Sequence, residues 1–219
     1  MEPAARIRNY QPADRSAVRE IACDTADAGG PAERFFHDRQ AFADVLTRYY
    51  TDYEPGSLWV ADCDGQVVGY LTGCLNTRTQ ERVTRRQILP KVIIGAILRG
   101  VLWHADAWRL LAAFIGTVAL GGFPHRIDLT MYAAHFHINI REGFRGGRIG
   151  LQLVEAFRQQ ADRAGVRGIH VVTRGDNAGG RRFFEKMGFR LLCEKPLIMP
   201  TGARLQRIST AIYGWSKGG

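Results

Sequence analysis

Two groups of residues in this 219-residue chain have the types and spacing to do chemistry. The first is Arg145-Gly146-Gly147-Arg148-Ile149-Gly150, a glycine-rich turn between a strand pattern and a helix pattern. A turn that opens a helix presents unpaired backbone N–H groups and the positive end of the helix dipole, which together hold a phosphate. Gly146, Gly147 and Gly150 permit positive φ and close approach of a ligand, and Arg145 and Arg148 add charge. The second group is His135 and His137, two apart and therefore on one face of a strand. Histidine titrates in the range useful for moving protons, and a neighbouring pair lowers the pKa of one member. Two readings of the pair stand: a general base with a helper, or two hydrogen-bonded histidines half-buried on the sheet.

Other phosphate motifs fail on spacing. A dinucleotide fingerprint needs G-x-G-x-x-G and a P-loop needs G-x-x-x-x-G-K-[ST]; the turn reads R-G-G-R-I-G. Cys23, Cys63, Cys74 and Cys193 lie far apart with no CxxC pair, which argues against a zinc finger or a disulfide scaffold. Nothing in the chain demands a metal. Residues 1–14 hold no apolar run, so a reduced, soluble, cytoplasmic protein is expected.

The formal charge is +9, and arginine supplies 26 of the 30 basic residues. That balance suits phosphate and carboxylate partners or reflects base composition alone. The arginines are dispersed, with no basic helix interleaved with aromatics, so no nucleic-acid partner is expected.

The elements that must position these groups follow from periodicity. Arg6-Ile7-Arg8 begins a strand, and Asp14 is placed to cap a helix through Val18, Ile21 and Ala22. A second helix is expected over 32–50. Strands over Ser57–Asp62 and Gln66–Leu75 flank an Asp64-Gly65 hairpin turn. Residues 76–126 differ in character: a basic stretch over 78–86 precedes a strongly apolar segment. Its longest run without a charge or histidine, Leu110–Pro124, is 15 residues, short of a membrane span. Two helices meeting near His104–Ala107 are expected there. A strand over Ile127–Ile140 leads into the glycine turn and a helix with Leu151, Val154, Phe157 and Ala161. A strand over Gly168–Thr173, a helix over Ala178–Met187 and strands over Phe189–Met199 and Leu205–Trp215 complete one mixed α/β domain spanning 1–219.

The turn is followed by Asp176-Asn177-Ala178-Gly179-Gly180-Arg181-Arg182-Phe183-Phe184-Glu185-Lys186-Met187-Gly188-Phe189. Together the two segments resemble the GNAT superfamily of N-acetyltransferases, in which an R/Q-x-x-G-x-G/A turn binds acetyl-coenzyme A and an N-x-x-A-x-x-F-Y-E-K-x-G-F segment lines its other side. Arg6–Asp14, Trp59–Asp62 and Gly65–Tyr70 resemble the family's opening strands. A lesser similarity, through the long first loop and His135-Phe136-His137-Ile138, is to acetyltransferase-like domains related to O-GlcNAc hydrolases.

The resemblance implies a single GNAT-like domain: a mixed, mostly antiparallel sheet of about seven strands flanked by helices, with 76–126 inserted between strands three and four. It implies an acetyl-CoA-dependent N-acyltransferase that moves an acetyl group directly to a primary amine of a small molecule or protein. Ile138, Asn139 and Ile140 would hold the acetyl carbonyl and pantetheine through backbone groups, and Arg145 to Gly150 the pyrophosphate. Asn177 would line the pantetheine arm, with Phe184 packing against it. His137 would be the base, with His135 as helper or acceptor contact; His170 is a further candidate. Two positions depart from the family pattern. Arg148 stands where glycine is usual, and Phe184 stands where many members have a proton-donating tyrosine. Cys193, Tyr213 or solvent would then supply the proton, or the chain is a coenzyme A-binding pseudo-acetyltransferase acting as sensor or scaffold. For the insertion three outcomes are open: Trp103, Trp108 and Phe114 wall an acceptor pocket, they bury the insertion against the sheet, or 88–122 makes a homodimer or peripheral membrane contact.

Overall fold

The computed structural model describes residues 5–123 and 127–218. β1 (Arg6–Asn9) precedes α1 (Arg15–Asp24), which buries Val18, Ile21 and Ala22. Asp14 holds the N-cap position of α1 but does not cap it. Its carboxylate turns back to the Gln11 N–H and the Arg8 guanidinium, and Arg8 holds its pKa below the usual carboxylate range. α2 (Arg39–Asp52) starts later than the expected helix over 32–50, because Asp38 accepts from the Ala41 N–H and fixes the helix start. Phe35 and Phe36 are buried ahead of it.

β2 (Leu58–Cys63) and β3 (Gln66–Cys74) form the expected hairpin, with Asp64 and Gly65 both at positive φ (51° and 84°). Two positive-φ residues match the twist of a two-residue hairpin.

The insertion is more helical than its composition suggests. Asn76 caps α3 (Thr77–Val83) by accepting from the Thr79 N–H, which draws the basic stretch into helix. A wide turn over Thr84–Ile88 leads into α4 (Leu89–Leu98). Gly100, at φ 74°, breaks the chain earlier than the expected His104–Ala107, and α5 (Ala105–Ala119) follows. Trp103, Trp108 and Phe114 are 92%, 55% and 56% exposed, so they do not bury the insertion against the sheet.

The expected strand over Ile127–Ile140 is shorter: β4 is Ala134–Ile140, because Asp128 folds the preceding residues into a turn through Thr130, Met131 and Tyr132. Then come α6 (Ile149–Arg163), β5 (Gly168–Arg174), α7 (Ala178–Lys186), β6 (Arg190–Thr201) and β7 (Arg204–Ser216).

Among the described residues these strands form one seven-stranded sheet in the order β1-β2-β3-β4-β5-β7-β6. Only β4 and β5 run parallel; β7 slips between β5 and β6. Each face of the sheet carries an apolar core. On one, α1 and α2 pack with Val60, Tyr70 and Cys74, joined by Ile88, Val92 and Val101 of the insertion. On the other, α6 and α7 pack with Leu71, Phe136, Ile169 and Tyr213. α5 lies along the edge strand β6, where Thr117 Oγ1 accepts from the Ile198 N–H. That bond, 2.9 Å long, covers an otherwise unpaired sheet edge.

Candidate functional site

β4 and β5 pair at only two positions, Ala134↔Ile169 and His135↔His170. Beyond them the strands diverge, leaving a wedge bounded by 136–140 on one side and 171–174 on the other. Which backbone groups face the wedge follows from register. Arg141 N–H donates to Val68 O at 2.8 Å, continuing the β3–β4 register. Hydrogen-bonded and non-hydrogen-bonded pairs alternate in an antiparallel ladder. His137 and Asn139 therefore spend their main-chain groups on Thr72 and Tyr70, whereas Ile138 and Ile140 aim theirs into the wedge. Of the three residues expected to offer backbone groups, Asn139 is not placed to do so. Its side chain instead donates to Thr25 Oγ1 at 2.6 Å.

The wedge opens toward the glycine turn. Gly146 takes φ 86°, a conformation that a side chain strains, while Gly147 and Gly150 are not at positive φ. Gly150 lies inside α6, where an added Cβ would sit 3.2 Å from the Phe183 ring, so it serves packing. Arg148 is the N-cap of α6 and contributes no side-chain cap. By contrast, Asp38, Asn76 and Asn177 each accept from a first-turn N–H of α2, α3 and α7. The start of α6, like those of α1, α4 and α5, thus has no side-chain cap on its donors, whereas α2, α3 and α7 satisfy theirs internally; of the four it is the one that follows the glycine turn at the end of β4.

Arg145 does not point outward from the turn. Its Nε donates to Ile140 O at 2.8 Å and its Nη2 to Gly29 O at 3.4 Å. Arg148 is exposed. The loop between α1 and α2 straps the wedge from outside, holding β4 through Thr25–Asn139 and β5 through an Asp27–Arg174 ion pair. Neither Asp27 nor Arg174 carries a sequence signal; only tertiary structure brings them together.

The three strand histidines share the α1–α2 side. His135 is buried, with Nε2 on Tyr50 Oη (2.8 Å) and Nδ1 on Thr77 Oγ1 (2.7 Å). Both ring nitrogens are spent, so His135 positions the sheet against α2 and α3 and cannot also touch an acceptor. His170 is buried too, with Nδ1 on Tyr132 O at 3.0 Å. His137 differs. It is exposed, and its ring makes edge contacts with Tyr50 and His135 but no hydrogen bond among the described residues. Desolvation of the ring where it packs on Tyr50 and His135, and the nearness of His170, pull its pKa down to about 4. Burial, His137 and His170 together push His135 well below its ordinary value. Both shifts keep His135 and His137 neutral near pH 7.

Most of the remaining candidates have partners of their own. Asn177 uses Oδ1 to cap α7 by accepting from Gly180 N–H at 2.9 Å, and its Nδ2 also donates to Thr173 Oγ1 of β5. Phe184 is buried among Phe136, Phe183, Phe189 and Tyr213. Tyr213 donates its hydroxyl to Glu185 Oε1 at 2.8 Å, and Cys193 lies two strands beyond β5. At the insertion, His37 Nδ1 meets Asp106 Oδ2 at 2.7 Å and stacks on His104, while Arg99 pairs with the buried Asp38. These contacts tie the insertion to the α1–α2 loop. Open hollows at Tyr10–Arg15–Gly56 and at Met131–Arg167 lie elsewhere.

The model of the Acetyltransferase (GNAT) family matches residues 97–189. The chain is similar to the solved structure of SsHAT, at 24% identity over 98% of each chain, with a TM-score of 0.71. It is similar to an N-acetyltransferase from Staphylococcus aureus Mu50 at 13% identity over 97% and 98% of the two chains (TM-score 0.59). It is similar also to yncA from Salmonella typhimurium, solved with its cofactor acetyl-CoA, at 16% identity over 97% and 94% (TM-score 0.59).

Proposed function

From a chain with the GNAT fold, matched by the acetyltransferase family model from the end of α4 through α7, we propose an acetyl-CoA-dependent N-acyltransferase that acts on a primary amine of a small molecule or protein. One observation carries the reading: the open backbone edge of β4 leads directly to the uncapped N-terminus of α6. An open strand edge and free helix donors fit an extended pantetheine arm ending in a pyrophosphate.

Acetyl-CoA supplies an acetyl group already activated as a thioester. The N–H groups at the start of α6, with Gly146 shaping the approach and Arg148 adding charge, hold the pyrophosphate. The Ile138 carbonyl and the Ile140 N–H hold the arm, and the wedge-facing N–H of Ile138 polarises the thioester carbonyl. His137 accepts the proton that the amine loses as it attacks, directly or through water. No side-chain acid is assigned; a departing thiolate takes its proton from solvent. Phe184 has no proton to give, and that supports the second reading, a coenzyme A-binding protein without turnover.

Thermal unfolding with acetyl-CoA and with free coenzyme A tests the site. At about 100-fold over the dissociation constant, a ligand of the folded state raises the midpoint on the order of 5 °C or more. A Gly146→Val chain should melt cooperatively without that shift. A shift in the native chain without acetylation of any amine in a screen selects the second reading. No shift with either ligand rejects both.

A further inference from the structure

The insertion is built outward. α4 buries Val92 and exposes Ile93, Ile94, Ile97 and Leu98; α5 buries the small Ala113 and Thr117 and exposes Trp108, Leu111, Ile115 and Val118. In α5 the exposed residues recur at i, i+3, i+7 and i+10, the spacing that normally faces a core. At the break between the helices Trp103 is 92% exposed and Leu98 is 82% exposed. Exposed apolar residues in this number, presented by two successive helices, mark an interaction surface.

The charges around the patch choose the partner. Residues 76–123 carry seven basic and two acidic residues, a net +5 of the chain's +9. One of the acids, Asp106, is turned inward to His37, and one of the bases, Arg99, is paired with Asp38. Arg78, Arg82, Arg85, Arg86 and Lys91 are exposed on α3, the turn after it and the first turn of α4, next to the apolar segment in the chain. Two copies meeting through this face would bring two such +5 segments together, whereas an anionic bilayer complements both halves of the pattern.

We infer that the outward face of α4 and α5 docks on a bilayer with anionic headgroups. The mode is parallel to the surface. The fifteen residues of α5 span roughly 22 Å at 1.5 Å each, short of the ~30 Å hydrocarbon core, and no described helix is long and apolar enough to cross a membrane. Tryptophan at the tip sits at headgroup level, and the arginines of α3 and the turn after it meet lipid phosphates.

The test is flotation of the full chain with vesicles of phosphatidylcholine alone or of phosphatidylcholine mixed with phosphatidylglycerol, at low and high salt. Binding should favour the anionic vesicles by about tenfold or more and weaken in high salt. Leu98→Glu with Trp103→Glu, and separately Arg85→Glu with Arg86→Glu, should each reduce it about tenfold or more. All four side chains are exposed, so an unchanged cooperative melt shows the variants folded. Absence of binding, or equal binding to both vesicle types, overturns the inference. So does a concentration-dependent dimer that Leu98→Glu abolishes while vesicles recover no protein, which assigns the face to a second copy.

Discussion

α5 and α6 are both fifteen-residue helices, yet they spend their apolar residues in opposite directions. α6 buries Ile149, Leu153, Val154, Phe157 and Ala161 against the sheet. α5 turns Ala113 and Thr117 inward, with Gly116 against Ile198, and shows its large residues to solvent. The first pattern makes a helix rigid and places its uncapped N-terminus at the end of the wedge. The second keeps α5 close to β6 through small residues and a hydroxyl bond, leaving the bulky side chains unspent. Amphipathic periodicity is thus a statement about two faces, and the buried one need not be the oilier.

This contrast can be broken most directly by stability. Phe157→Ala on α6 should cost about 3–5 kcal/mol, because the ring fills the space above Gly73, where an added Cβ would lie 2.2 Å away. Ile115→Ala on α5, 58% exposed, should stay within about 0.5 kcal/mol. Equal costs by urea unfolding would show that both helices feed one core.

A second effect is catalytic. His137→Gln in the wedge should lower kcat by about a hundredfold or more, with KM for acetyl-CoA little changed. Trp108→Ala on α5 should leave kcat for a soluble amine unchanged. Because the His137 pKa is drawn down to about 4, the native rate profile should show no ionisation near pH 6.5; the limb seen should follow the acceptor amine. Unchanged turnover in His137→Gln removes the assignment.

The smallest expected effect is the pH dependence of stability. His135 and His137 both titrate lower in the folded chain than the ordinary 6.5. The unfolded chain therefore binds more protons as pH falls below about 6.5, and stability present above that value is lost progressively toward pH 4. His137→Gln should flatten the decline in unfolding midpoint between pH 7 and 5. A steepened decline would contradict the sign of the shift.

Much of the frame is legible in the residues. Asp64-Gly65 announces its hairpin because two positive-φ positions need such residues, and the helix after the glycine turn follows from Leu151, Val154, Phe157 and Ala161, although Leu151 itself is exposed. The late start of α2 and the helical form of 77–83 were harder to read, since each depends on a single side-chain cap, Asp38 or Asn76, competing with weak local preferences. The strand expected over 127–133 fails for the same reason: Asp128 folds that stretch locally. Within the site, the histidine pair is visible as a pair, but its division of labour is not. Tyr50 and Thr77, 85 and 58 residues away from His135, occupy both of its nitrogens.

By itself, then, the sequence determined the local pieces: the turn at Gly146, the hairpin, the helix faces and the positive charge of 76–123. These depend on backbone sterics and periodicity, which act over a few residues. Tertiary structure alone decided that β7 enters between β5 and β6, that β4 and β5 part after His135, that His137 is the histidine left open, and that the oily face of α5 looks outward. Each of those depends on which distant surfaces pack best, and the sheet can satisfy its hydrogen bonds and cover its edge only by settling them together.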